Sequence, residues 1–273
     1  MTSPRLKIKR PPRTAGPHET FRALARGLRV VQSAKKGMHW QGGKPLHRGA
    51  KCALCKQPLR LIWDIDLADP QLPDGLREKL APRTRLPIYF CCLCPKPTVY
   101  SLVSDSSLRM FRPKSVSLDY DPWNDPHEQN PFREAPAQFV RQPIRLEPIP
   151  IVVEGLISLA EEIGVQRLDD EARRILSRYV GKTVSTNWDL PFSQFGGLPL
   201  VSQGHREVVC PNPTCFASRL VHPYPSFDRR FLMRELAVVT SEPPLDSQSF
   251  HYAQIAVHIC LHCASIHSEY RCD

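Results

Sequence analysis

A chain of 273 residues, 41% of them hydrophobic, is long enough to bury one large core or two small ones. No stretch reaches the roughly 18 consecutive apolar residues of a membrane helix, and the charged start MTSPRLKIKRPPR is not followed by the apolar segment of a secretory signal, so the expectation is a cytoplasmic protein with no membrane segment. The net charge of +10 is unevenly placed: Met1 to Lys51 hold thirteen Lys and Arg against the single acid Glu19, leaving 24 basic and 26 acidic residues elsewhere.

In chain order, residues 1–36 read as a basic flexible arm. Such an arm attracts nucleic acid or an acidic partner through unspecific electrostatics, or simply aids solubility. No aromatic alternates with the basic residues of 1–20, so no stacking platform for single strands is visible there. A mitochondrial presequence is opposed by Pro4, Pro11, Pro12 and Pro17, which disfavour an amphipathic helix. Residues 37–113 then read as a β half, with strands in LRLIWDIDL (59–67), LPIYFC (86–91) and LRMFRP (108–113). Residues 114–151 read as a connector, because eight prolines fall within 113–150 and proline cannot donate to a ladder. VVEGLISLAEEIG (152–164) and RLDDEARRILSRYVG (167–181) predict a helical hairpin over 152–181, with Leu168, Ala172, Ile175, Leu176 and Val180 on one stripe and Gly181 as the stop. Residues 182–273 form a second β half, with strands in LAVVTS (236–241) and AQIAVHIC (253–260).

The order of features repeats across the connector. GGKPL, CALC, LRLIW and PIYFCCLC are followed later by GGLPL, CPNPTC, SRLVH and IAVHICLHC. Gly42, Gly43 and Pro45 thus correspond to Gly196, Gly197 and Pro199, and each turn motif precedes a cysteine pair. The expected fold class is α+β, mainly β, with two pseudo-symmetric antiparallel sheet halves and a short helical hairpin packed beside or between them.

Ten cysteines in a chain expected to meet a reducing cytosol point to metal ligation before disulfides. A CxxC knuckle puts two thiolates on one side of an ion, and two knuckles close a tetrahedron. Cys52 and Cys55 are therefore matched with Cys91 and Cys94, and Cys210 and Cys215 with Cys260 and Cys263. Two ions per chain are expected, zinc first, with iron accepted by the same donors. The spacing is wide for a zinc ribbon, since Cys91 follows Cys55 by 36 positions and Cys260 follows Cys215 by 45. Cys92 is an alternative ligand to Cys91 or Cys94, and His258 or His262 could substitute in the second set. The role of Cys272 is open.

A closed four-cysteine site has no coordination position for substrate water, and no Walker loop, HExxH, GxSxG or GxGxxG motif is present. The expected function is non-catalytic binding of an unidentified protein partner, chaperone-like in kind. The alternatives are nucleic-acid or ribosome association through the basic arm, a toxin-immunity protein, and a thiol-dependent enzyme using Cys92.

GGKPLHRGAKCALCKQPLRLIWDIDL, LPIYFCCLC and LRMFRP together resemble the amino-terminal half of the programmed cell death protein two family and the related bacterial YwqG-like proteins. QFGGLPLVSQG, CPNPTC and QIAVHICLHC are similar to the carboxyl-terminal half. No additional cysteine/histidine finger separates the halves here, which favours the bacterial-like branch. The resemblance implies a duplicated, mainly β architecture and, for the eukaryotic members, a chaperone-like role in holding a newly made ribosomal protein.

Overall fold

The computed structural model describes residues 26–35, 37–72, 74–112, 132–187, 190, 192–197, 208–216, 218, 233–240 and 253–271. Most of the expected arm, residues 114–131 of the connector, Pro199 and Cys272 lie outside the described residues. The elements in chain order are β1 (Gly27–Gln32), β2 (His39–Gln41), β3 (Arg60–Asp66), α1 (Asp74–Leu80), β4 (Arg85–Phe90), β5 (Thr98–Ser104), β6 (Ser107–Met110), β7 (Gln142–Pro148), α2 (Ile151–Ile163), α3 (Asp170–Val180), β8 (Gln194–Gly196), β9 (Arg234–Thr240), β10 (Gln254–Ile259) and β11 (Ser265–Arg271). The protein is mainly β, as its sequence predicts, and the hairpin of α2 and α3 is where the periodicity places it. No helix among the described residues is long and apolar enough to cross a membrane.

The strands form one curled antiparallel sheet of eleven, in the order β4-β3-β2-β7-β1-β8-β9-β10-β11-β5-β6. This differs from the expected pair of separate sheet halves. β1 comes from the first half of the chain yet pairs with β8, and β7 lies between β1 and β2. β5 pairs with β11 of the second half. Each exchange gives a strand edge a backbone partner, and unpaired edges are what a sheet must avoid.

Two of these strands fall in segments read as arm and connector. Residues 27–32 form β1, and residues 142–148 form β7, at the middle of the sheet. Proline density misleads here because Pro143 and Pro148 sit near the two ends of β7, leaving 144–147 free to run a regular ladder against β1.

β3 and β4 are buried on nearly every residue because both faces are covered, and Trp63, Ile65, Ile88 and Phe90 are fully buried in the main core. The helical hairpin builds a second core from Val153, Ile157, Ala160, Leu168, Ala172, Leu176 and Phe192. Asp169 caps α3 by accepting from the Ala172 N–H at 2.7 Å, and Gly181 ends it in the left-handed conformation. Arg29 of β1 ties this unit to the sheet: its guanidinium lies 5.2 Å from the Tyr179 ring and donates to the Tyr179 carbonyl at 2.6 Å.

The chain itself meets part of the edge of each terminal strand. The outer edge of β4 meets the Tyr100 hydroxyl, which accepts from the Tyr89 N–H at 3.0 Å and donates to the Pro87 carbonyl at 2.9 Å. β6 is joined by Arg48, whose carbonyl accepts from the Leu108 N–H at 2.8 Å.

Candidate metal centres

Each cysteine pair is shaped by a turn that its local sequence dictates. The first, between the short bridge of Lys51 with Pro58, folds back so that the Lys56 N–H reaches the Cys52 carbonyl at 3.1 Å and the Leu54 N–H reaches the Cys52 sulfur at 3.4 Å. In the last pair the Ala264 N–H reaches the Cys260 carbonyl at 2.9 Å. Lys56 and Ala264, each directly after its CxxC, are the non-glycine residues with positive φ among those described, at 64° and 54°. The same knuckle geometry therefore appears at both places, with an N–H left to bond sulfur. Cys91 closes β4 and donates its N–H to Thr98 Oγ1 at 2.8 Å, which sets the second knuckle of the first group.

The eight cysteines matched from spacing come together in two fours: Cys52, Cys55, Cys91 and Cys94, and Cys210, Cys215, Cys260 and Cys263. Within each group the sulfurs lie within 4.8 Å of one another. Cys52 to Cys94 and Cys55 to Cys91 are both 3.7 Å, Cys210 to Cys263 is 3.5 Å and Cys215 to Cys260 is 3.7 Å. A zinc about 2.3 Å from four sulfurs at tetrahedral corners requires edges of about 3.8 Å, whereas a disulfide requires about 2.05 Å. The donor sets thus fit a four-coordinate ion and not disulfide pairs, in keeping with all of these cysteines being free.

Electrostatics within each group points the same way. The Cys52 thiol is pushed down to about 5, chiefly by a hydrogen bond from Cys91, while burial pushes Cys94 up to about 12. In the second group a hydrogen bond from Cys210 drives Cys263 far down, and Cys210 itself is driven far up by its bonds to Cys260 and Cys263. One thiolate is stabilised by its thiol neighbours, but four together require a cation. Bound there, zinc or iron would act as a structural cross-link between chain segments far apart in sequence.

Cys92 is not in the first group. It is buried beside Arg60, and burial pushes its thiol up to about 12. Nor do His258 and His262 join the second group. His262 is exposed in the knuckle, while His258 is fully buried on β10, 3.7 Å from Glu235 and edge-on to His267.

His258 belongs to a buried strip of ionisable side chains that the sequence reading missed, formed with Glu235 of β9 and His267, Glu269 and Arg271 of β11. Arg271 donates to Glu269 Oε1 at 2.6 Å with its own side chain fully buried. Burial alone would raise the Glu269 carboxyl, yet His267 and Arg271 hold it well below the usual carboxylate range. The only signal in the sequence is the alternation of His267, Glu269 and Arg271 on one face of β11, which lacks the apolar alternation by which strands are recognised.

The two cysteine groups are linked through the β5–β11 ladder. β5 begins four residues after Cys94, β11 two residues after Cys263, and Ser101 faces Ser265 across the pairing. Ser265 Oγ lies 3.0 Å from the Cys263 sulfur, where a hydroxyl donor stabilises thiolate. The fold and the site together define a mainly β protein with two four-cysteine groups that could each hold a metal ion. Comparison with known proteins finds no matching family model and no matching curated protein.

Proposed function

We propose that the chain is a non-catalytic protein-binding module, chaperone-like in kind, whose two cysteine centres hold structural zinc. The observation that carries this reading is the closure of both donor sets: four sulfurs fill the four corners, so neither centre offers an open position to substrate. Both centres also pin loops at the ends of strands, where a cross-link of long-range segments contributes most to folding. The repeated order of diglycine turn, cysteine pair, strands and second cysteine pair supports descent from a duplicated half. It also supports kinship with the programmed cell death protein two and YwqG-like proteins, which suggests protein holding as the task. The first diglycine has φ of 67° and 99° and the second 72° and 64°, so the two turns share a backbone that favours glycine.

The test is elemental analysis of the full chain purified without a metal resin, followed by recovery of co-purifying protein before and after chelation. Two zincs per chain and a specific companion lost on chelation support the reading. Metal-free but folded protein would overturn the zinc assignment. A companion that is nucleic acid, released by salt and lost on deleting residues 1–25, would replace protein binding by electrostatic attachment of the arm.

A further inference from the structure

The two cysteine centres share their donor chemistry but not their surroundings. The residue before the last cysteine of each knuckle is Leu54 and Leu93 in the first centre, and Thr214 and His262 in the second. Leu54 and Leu93 are each 38% exposed. The knuckle needs only a backbone N–H at this position, as Leu54 shows by donating to the Cys52 sulfur. Threonine and histidine at the other centre show that metal geometry does not call for leucine there. Coordination therefore does not account for these two partly exposed leucines, whereas the exposed apolar residue of the second centre, Phe216 at 61%, follows the knuckle cysteine Cys215 instead of preceding it.

Charge differs in the same way. Between Gln41 and Trp63 the chain carries Lys44, Arg48, Lys51, Lys56 and Arg60 and no acid, whereas the same flanks of the Cys210–Cys215 pair, residues 199–223, carry only Arg206 and Arg219 against Glu207. Lys51 and Lys56 bracket the knuckle directly and are exposed, as is Arg48. Lys56 is held over the turn by donating its Nζ to the Ala53 carbonyl at 2.6 Å. Exposed cations flanking the knuckle in the chain, beside partly exposed leucines, are complementary to an acidic segment bearing apolar side chains. This surface lacks the exposed aromatic faces that unstacked bases require.

Resting on the protein-binding reading above, we propose that the tip of the first cysteine centre, Leu54 and Leu93 with the flanking cations Arg48, Lys51 and Lys56, docks an acidic, leucine-bearing segment of a partner protein. The leucines supply the anchor, and the lysines supply rate and selectivity. This contact is made by side chains on the knuckles.

The probe is a fluorescein-labelled peptide with leucine at every third or fourth position and glutamate between, titrated against the full metal-loaded chain by anisotropy. Leu54→Thr with Leu93→His takes the residues that the second centre already uses, and metal content measured on the same sample shows that the site is intact. Binding is expected to weaken about tenfold or more in this double variant, and by a comparable factor in Lys51→Glu with Lys56→Glu, the latter shrinking as salt rises. A wild-type chain that ignores the peptide overturns the proposal. So does unchanged affinity in either variant with metal retained, or oligouridylate that binds as tightly as the peptide and is indifferent to the leucines. If the leucine variant still recovers the same companion protein as the wild type, the docking surface fails while protein binding stands. If neither recovers one, protein binding itself fails.

Discussion

Replacing Gly42 by alanine separates two costs that the repeated diglycine turn avoids. Gly42 has φ of +67°, and a Cβ there would stand 2.4 Å from the Val140 carbonyl oxygen and 2.9 Å from Phe139 Cβ. Its N–H donates to the Ile62 carbonyl at 3.0 Å and that of Gly43 to the Phe139 carbonyl at 2.9 Å, so the turn is stitched on both sides and cannot drift to relieve the overlap. Gly181 supplies the reference: its φ is +86° but nothing lies within 4 Å of its Cβ position. The left-handed conformation alone costs about 1–2 kcal/mol in an L-residue. Forced overlap in a packed region adds about 1–3 kcal/mol. Gly181→Ala should thus lose the first amount and Gly42→Ala the sum. With a urea m value of about 3 kcal/mol/M, the extra loss at Gly42 lowers the midpoint by roughly 0.3–1 M relative to Gly181→Ala. The assay is urea unfolding of metal-loaded protein followed by tryptophan fluorescence, since Trp63 is fully buried in the main core. Equal midpoints for the two variants would refute the close approach of 139–140 to the turn.

Elemental analysis should give two metal ions per chain, with Cys52→Ser and Cys260→Ser each leaving one, and acidification should release metal because the sulfurs must stay deprotonated to ligate. Cys92 should resist iodoacetamide at neutral pH in the folded protein and react only after unfolding, because burial keeps it a thiol up to about 12; peptide mass spectrometry reads this directly. Arg29→Ala should loosen the helical hairpin from β1, at a cost of about 1.5–3 kcal/mol for its charge-assisted bond to the Tyr179 carbonyl, seen as faster amide exchange in α3. Glu269→Gln removes a carboxylate facing the buried Arg271 and should cost about 3–5 kcal/mol at neutral pH. Because the folded carboxyl titrates below its unfolded value of about 4.3, its stabilisation is present above that pH and fades as pH falls further, so the variant should show a flatter stability profile in acid.

Much of the local structure was legible in the sequence because its causes are local. The stripe of Ala172, Ile175, Leu176 and Val180 with Gly181 as a stop specifies α3, and apolar runs specify β3, β4, β9 and β10. The cysteine matching was legible too, since a knuckle carries its own turn geometry and a second knuckle at the same place in the repeat supplies the missing corners. The choice of Cys91 over Cys92 was not, because adjacent residues at a strand end point to opposite sides, and only the placement of β4 shows which side faces the first pair.

β1, β7 and β11 show where local reading ends. Their composition is basic, proline-rich or alternately charged, and each is made a strand by neighbours that offer it an edge. By itself the sequence determined the mainly β class, the helical hairpin, the glycine-requiring turns and two sets of four thiols. Only the tertiary structure decided that the halves share a single sheet, that β5 crosses to β11, and that His258, His267, Glu269 and Arg271 lie inside. The physical reason is that strand pairing and charge burial are settled between residues far apart in the chain, where backbone edges and ionic partners must be satisfied together.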